Sequence, residues 1–548
     1  MTRSLIHPFL VRHVSPVLGT LGVGLLNSAV TLLLPLSLGR FYEQFFGGTS
    51  NRGAALHTLG LGWLGGTGWT AFFGLFAGLI LLRGLFEALE QWLTGRLGEG
   101  FVRHLREQTF AHHLALRVDT HRQKAVGKYL FRYSSDFGSL RRYLTNGLIG
   151  FVKDVLFLTL ALGVLAWLNA PLTALLLLTA LPFWALFGWL NRHLDTQSVR
   201  RRDLRSGYIG FVTTRLQAFE TIKIFNRETI EHERFSKRSA TLSRANLDAL
   251  GWRAGLNGLL PVALYTLVLA VLIGVHTLQP NGADRAGGGV IVTFILLVLS
   301  LRPVWRRLLR VGVVWRAGRL SGQNLSDFLG LPPEQNSFKP PLTVTDGHVA
   351  FEAVSFAYEA GKSVLTDYCL SARAGTITRM PGGPGAGKTT AFKLLLGLYV
   401  PTGGTLRIDG RNLADCPVSS LRKHIALASA DLPLLGRTVF EAVSYSRNVN
   451  KRPRASALLS ELQTVAALPT RLTLDDFIGE QGRTLSEGQR AVLRLCRALL
   501  TRKPILLLDE PFTGLPDEAV ERLLHWLDTR HAQQTILLAS GRHVRQLA

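Results

Sequence analysis

Apolar residues in the first 320 or so positions come in long uninterrupted blocks rather than at helical or strand spacing. Positions 14–39 and 58–82 contain no charged residue and no histidine. Positions 155–191 are equally free of charge, broken only by Asn169-Ala170-Pro171, and positions 254–275 make a further block. The last block opens at Ala286 and runs 16 residues before Arg302. A helix rises about 1.5 Å per residue, so about 20 apolar residues cross a hydrocarbon core of about 30 Å. The pattern predicts six membrane helices, near 16–40, 62–90, 147–168, 171–191, 254–276 and 286–312, in a transmembrane domain spanning 1–322. Asn169-Ala170-Pro171 reads as a tight hairpin between the third and fourth. Core helices of a water-soluble protein can also be apolar, but six such blocks leave no polar faces for a water-facing shell.

The texture changes after about Gln323. The stretch LGLPPEQNSFKPPLTV is rich in proline and polar residues, which marks a linker over 323–345. Beyond it, over 346–548, short apolar runs alternate with helical patterns, as in an α/β domain. The fold class is therefore an α-helical transmembrane domain of six helices followed by a separate α/β domain.

Charge fixes the orientation. The chain is 47% hydrophobic yet carries a net charge of +25. A nucleic-acid binder explains the charge but not the apolar blocks, so nucleic acid is excluded as a partner. Residues 95–145 hold ten Lys/Arg against four Asp/Glu, and residues 191–252 hold twelve against seven. The connections near 42–57, 169–171 and 276–285 are short and carry two arginines in all. The positive-inside bias places both termini and both long loops in the cytoplasm. Those loops are helical in pattern and predict helices that continue well past the bilayer. The start, MTRSLIHPFLVRH, has no cleavable signal pattern. Cys369, Cys416 and Cys496 read as reduced core thiols rather than a disulfide framework.

Three motifs carry chemistry. GGPGAGKTT, residues 382–390, fits the P-loop spacing, with Gly382, Gly387, Lys388 and Thr389 at its fixed positions and Gly383, Pro384, Gly385, Ala386 and Thr390 completing it. Its glycines let backbone N–H groups turn inward around ATP phosphates, and the following helix offers its positive N-terminus. Lys388 reaches the β- and γ-phosphates, and the Thr389 hydroxyl ligates Mg²⁺. PILLLDEP, residues 504–511, is a buried strand with acids at its C-terminal end. Asp509 would hold Mg²⁺, directly or through water, and Glu510 could orient or deprotonate the attacking water as the catalytic residue. Alone, such a strand end is often merely solvated; behind a P-loop it reads as catalytic. TLSEGQR, residues 484–490, places Ser486 and Gly488 at a helix N-terminus with donors free for an anion, although an ordinary N-cap has the same appearance.

The order of these motifs behind six spans resembles an ATP-binding-cassette (ABC) transporter of the exporter type, a half-transporter with membrane and nucleotide-binding domains fused, over nearly the whole chain. The resemblance implies an α/β P-loop NTPase nucleotide-binding domain, an ATPase coupled to transport by alternating access, and a multi-pass protein of a bacterial inner membrane with its cassette in the cytoplasm. The family's signature is LSGGQ; here Leu485, Ser486, Glu487, Gly488 and Gln489 differ at Glu487 alone. In the family these residues serve the ATP of the partner subunit. Phe356-Ala357-Tyr358 matches the loop whose aromatic ring stacks on adenine, so Tyr358 takes that role unless it is simply a core or surface tyrosine. Glu480 matches a segment that contacts the membrane-domain loops, and the loops imply coupling helices near 117–127 and 215–223.

The chain departs from the family at three places. A glutamine that touches Mg²⁺ and the attacking water is Ala430 here. The aspartate of Ser-Ala-Leu-Asp after the catalytic carboxylate aligns with Pro516. The histidine that meets the γ-phosphate aligns with Gly541, and His543 lies two positions late, about 6–7 Å along a strand. The cassette also reads as short at its C-terminus, whether naturally or by truncation. The departures imply a site that binds ATP but hydrolyses it weakly, and a heterodimer with a more complete second half-transporter in preference to a homodimer that tolerates the losses. The other reading is a membrane subunit in which ATP binding gates a partner without pumping. The transported substrate is not legible. Arg302, Arg306 and Arg310 share one helical face, which fits either an anionic amphiphile in a cavity or contact with the phosphates of membrane lipids. Lys153 and Asp154 are expected near the same surface.

Overall fold

The computed structural model describes residues 2–46, 68–122, 129, 132–278, 288–334, 339–359, 361–446 and 448–541. The chain divides into two compact units, Met1–Leu114 with Lys124–Leu331, and Ala115–Gln123 with Pro332–Ala548.

The first unit is helical. Six of its helices are long and apolar enough to cross a membrane, among the described residues. Its main helices are α1 (Val14–Phe46), α2 (Trp69–Ala115), α3 (Gly150–Leu168), α4 (Ala170–Gln217), α5 (Glu228–Leu278), α6 (Gly288–Ser300) and α7 (Arg302–Leu329). α3 turns into α4 through a single extended residue, Asn169 (φ −159°), whose side chain accepts from the Leu172 N–H and caps α4. α4 and α5 have 48 and 51 residues. At 1.5 Å per residue each exceeds about 70 Å, more than twice the hydrocarbon core. α1 and α6 approach so closely that a Cβ on Gly39 would lie 1.8 Å from Thr293 Oγ1 and 2.6 Å from Gly289 O. Small residues permit such approach where lipid removes the hydrophobic drive between helices. A short helix, Phe219–Ile224, joins α4 to α5 and leaves Phe219, Ile224 and Phe225 exposed.

The second unit contains two four-stranded sheets. β1 (Val349–Glu359), β2 (Lys362–Ala372), β4 (Gly403–Ile408) and β5 (Arg411–Asn412) form an antiparallel sheet in the order β2-β1-β4-β5. β3 (Ile377–Arg379), β6 (Ile425–Ser429), β7 (Ile505–Asp509) and β8 (Thr535–Ala539) form a parallel sheet in the order β3-β8-β7-β6. Every residue of β7 and β8 is buried, the reason ILLLD and TILLA read as unbroken apolar runs. In register, Asp509 lies between Ser429 and Ala539, so the C-terminal ends of three strands converge.

The six-helix membrane domain and the α/β nucleotide-binding domain expected from the sequence are therefore both present. Details differ. The stretch read as linker is helical as far as Leu329, because its apolar positions Leu325 and Phe328 are buried on one face of α7. Pro333 then bridges Leu116, and the Glu334 N–H donates to Ala115 O, so both segments belong to the second unit. The helix Val118–Arg122 lies in the first stretch read as a coupling helix, and Val118 packs on the core containing Phe351, Phe392 and Leu507. Residues 123–127 of that stretch lie outside the described residues, as do parts of the expected second and sixth spans, of the linker, and His543. Of the three cysteines, Cys416 and Cys496 are buried but Cys369 is exposed, since its β2 position faces water.

Candidate functional site

The P-loop bends where glycine is required. Gly382, Gly385 and Gly387 have φ of 107°, 83° and 81°, a region that side-chain-bearing residues rarely enter. A Cβ on Gly387 would meet Leu365 Cδ2 at 2.6 Å, whereas a Cβ on Gly383 or Gly385 would meet nothing within 4 Å. The loop is thus pinned on its β2 side and open on the other. Helix α8 (Lys388–Leu395) starts directly after it, with Gly387 as its N-cap residue. Lys388 is 8% exposed, and its ammonium donates to Gly382 O at 2.7 Å and Gly383 O at 2.9 Å.

The next residue closes the site toward the sheet. Thr389 donates its hydroxyl to Asp509 Oδ1 at 2.9 Å. Ser429, across the register from Asp509, donates to Oδ2 at 3.3 Å. Burial pushes the Asp509 carboxyl above the ordinary carboxylate range; the Thr389 and Ser429 hydrogen bonds oppose that rise, and Asp431 and Glu510 add to it. Glu510 follows in the left-handed region at φ 45°. Its N–H donates to Ala539 O, and its carboxylate accepts the Gly541 N–H at 2.7 Å. The strained backbone turns this exposed side chain off the strand end.

Tyr358 joins the P-loop from β1. Its hydroxyl lies 3.1 Å from Thr390 Oγ1, and its ring stands edge-on to Phe356 and Tyr399 at centroid distances of 4.9 and 5.1 Å. The ring is 44% exposed.

The residues 485–489 are arranged differently. Ser486 caps helix α9 (Glu487–Leu499) in a capping box: its hydroxyl accepts the Gln489 N–H, and its own N–H donates to Gln489 Oε1 at 2.9 Å. Ser486 is therefore at least an N-cap. Gly514 (φ 85°) lies so close that a Cβ on it would meet Glu487 Cβ at 2.3 Å, and a Cβ on Gly488 would sit 3.1 Å from Gly514 O. None of the described hydrogen bonds joins Leu485–Gln489 to the P-loop. Ala430 supplies only its backbone, donating to Asp509 O, and Pro516 is the N-cap residue of helix α10 (Asp517–Arg530). Sequence reasoning missed Ser429; its signal was an apolar strand ending in a hydroxyl before Ala430.

A nucleoside triphosphate fits this set. An ammonium whose partners among the described residues are loop carbonyls, open space beside two glycines and a helix N-terminus together suit the phosphates. The buried Asp509 carboxylate beside a hydroxyl supplies hard oxygen donors of the kind Mg²⁺ takes.

The first unit contains a second candidate site. A cavity of about 980 Å³ is lined by Arg141, Arg142, Lys153, Arg306, Arg307 and Arg310, with Glu90 its one acidic lining residue among those described. Arg302 is not among its lining residues. Arg306 makes no hydrogen bond or ion pair among the described residues, Arg310 donates only to the Asn257 amide oxygen at 2.8 Å, and Arg142 only to the Ser139 hydroxyl at 3.4 Å. A neighbouring cavity of about 300 Å³ shares Glu90, Lys153 and Arg307.

Comparison with known proteins agrees with both units. The ABC transporter transmembrane region family matches residues 19–301, and the ABC transporter family matches residues 365–513. The ATP-dependent lipid A-core flippase of Nitrosococcus oceani is 30% identical over 85% of this chain and 79% of its own length. That of Burkholderia orbicola is 28% identical over 86% and 82%. A bacterial Atm1-family ABC exporter with ATP bound has the same fold, with a TM-score of 0.80 at 23% identity over 97% of this chain and 91% of its own.

Proposed function

This chain belongs to the ABC transporter family as an exporter half-transporter, an ATPase coupled to transport, and from that premise we propose that it moves an anionic amphiphile out of the cytoplasmic leaflet as one half of a heterodimer. The observation that carries the substrate reading is the cavity whose Arg142, Arg306 and Arg310 have no carboxylate partner among the described residues. Uncompensated guanidinium groups in a concave wall favour an anion, and they bind phosphate with planar, forked donors. The flippase names of the relatives support a lipid as the ligand. The charged layer also begins where the apolar spans end: α6 is uncharged and α7 opens with Arg302, while α3 is uncharged after Lys153-Asp154. The positive-inside bias assigns that end to the cytoplasm.

At the nucleotide site we assign the roles by chemistry. Lys388 and the P-loop amides hold the phosphates; Thr389 and Asp509 hold Mg²⁺; Tyr358 offers its ring to the base; Glu510 takes the proton of the attacking water. Bound ATP supplies the phosphoanhydride whose cleavage resets the transporter. Ser486 and Gly488 face the partner's nucleotide. Slow hydrolysis at this site is supported by Ala430 and Gly541, which bring no side-chain donor to the reacting groups, and by the hydrogen bond that holds Glu510 against Gly541 N.

The test is Glu510→Gln in the transporter co-purified with its partner and reconstituted in vesicles. Most ATPase activity and lipid transport survive if the partner's site does the hydrolysis. Complete loss of both overturns the heterodimeric division of labour. Transport that proceeds with a non-hydrolysable nucleotide overturns the pumping role in favour of a gating subunit.

A further inference from the structure

The basic cavity has one feature that an anion site does not need. Glu90, on α2, is buried in its wall, with a side chain 8% exposed. Asn27 Nδ2, on α1, donates to Glu90 Oε2 at 2.8 Å, and Lys153, on α3, donates to Oε1. Lys153 is 23% exposed at its side chain and lines both cavities. The next residue, Asp154, makes the opposite pairing: it is 2% exposed and accepts Arg307 Nε at 2.9 Å and Nη2 at 2.6 Å. Consecutive helical residues point about 100° apart, so α3 is tied to α2 by one pair and to α7 by the other. The two pairs differ in kind. The Arg307 fork is bidentate on a carboxylate that is itself 2% exposed, a geometry that is hard to exchange. The Lys153 ammonium is a mobile point charge that a second anion can share or take.

We propose that Glu90 is the internal counter-anion of this cavity, holding Lys153 while no headgroup is present and surrendering it to an incoming anionic headgroup. This rests on the anionic-amphiphile reading above and adds its selectivity. A ligand must outcompete a carboxylate already in place, so a zwitterionic headgroup does not displace it and an anionic phosphate does. Glu90 is thus a specificity-determining residue that works by opposing binding, the repulsive component that discrimination between related ligands requires.

The experiment uses the full chain in its assembled transporter, in nanodiscs of zwitterionic lipid, titrated with fluorescent short-chain phosphatidylglycerol, phosphatidic acid and phosphatidylcholine, and with inorganic phosphate as a headgroup without a tail. Wild type binds phosphatidic acid and phosphatidylglycerol in preference to phosphatidylcholine. Glu90→Gln keeps the Asn27 contact, removes the charge, and tightens phosphatidylglycerol binding by about tenfold. In a Lys153→Met background the same substitution gains less than half as much, because the two residues act as a pair. Thermal unfolding of each variant reports its integrity. An affinity unchanged by Glu90→Gln, or an equal gain without Lys153, overturns the inference while leaving the anionic-amphiphile reading intact. If neither phosphatidic acid nor phosphatidylglycerol binds to wild type or variant, both fall. Inorganic phosphate binding as tightly as phosphatidic acid would make the ligand a soluble anion and overturn the lipid.

Discussion

Gly541 donates its backbone N–H to the Glu510 carboxylate at 2.7 Å. A Cβ on Gly541 would lie 3.3 Å from the same oxygen and 3.9 Å from Pro384 Cγ. A side chain at this position therefore emerges between the P-loop and the Glu510 carboxylate. Gly541→His is expected to raise ATP turnover by about tenfold, at the lower end of what a positioned acid–base group contributes. Phosphate release by a transporter whose partner site is inactivated measures it, with nucleotide affinity unchanged.

Lys388→Ala removes an ammonium whose only described partners are two loop carbonyls. ATP affinity is expected to fall by about 10- to 100-fold, the equivalent of one hydrogen bond to a charged group. The melting temperature without nucleotide changes little, because the loop beside Gly383 is open to solvent. Equilibrium binding of a fluorescent ATP analogue and a melting curve separate the two effects.

Asp509 makes the cassette's stability depend on pH. Burial raises its folded pKa above the unfolded value, so the native state holds the proton more tightly. Stability from this group is full below the ordinary carboxylate range and is lost as pH rises through the folded pKa. Asp509→Asn should therefore stabilise the nucleotide-free protein at neutral pH and flatten its acid-side stability profile, while abolishing Mg²⁺-dependent ATP binding. Melting temperature against pH, with and without Mg²⁺ and ATP, checks both halves.

Arg307→Ala strands the Asp154 carboxylate, which is 2% exposed. The Arg307 side chain is 49% exposed, so the cost is that of leaving one buried acceptor unsatisfied, about 1–3 kcal/mol. Adding Asp154→Asn removes the stranded charge and should recover more than half of the loss. Unfolding of the detergent-solubilised protein gives the double-mutant cycle.

The thiols should separate by accessibility. Cys369 is exposed, whereas burial pushes the Cys496 thiol up to about 12. Iodoacetamide is expected to modify Cys369 in the native protein and Cys496 only after unfolding, as peptide mass mapping would show.

Much of this protein is written locally. The six spans are legible because a helix that crosses lipid must satisfy its own backbone and be apolar all round, which needs no knowledge of its neighbours. The P-loop is legible for the same reason: Gly382, Gly387, Lys388 and Thr389 form one turn, and the chemistry of a turn is set by contiguous residues. β7 is legible because a strand buried on both faces must be apolar throughout. What the sequence did not disclose are pairings between distant positions. Ser429 reaches Asp509 across 80 residues, Glu90 reaches Lys153 across 63, and Gly541 reaches Glu510 across 31. Each depends on strand order or helix packing, which side-chain periodicity does not encode. Glu90 illustrates the limit: in sequence it is one acid near the end of an apolar run, and only the approach of α1 and α3 gives it Asn27 and Lys153 as partners. The sequence alone thus determined the membrane spans, the cassette and its phosphate-binding loop. Tertiary structure decided which charges face one another and which remain uncompensated, because electrostatic energy depends on distance in space and on burial, neither of which is a property of a residue's place in the chain.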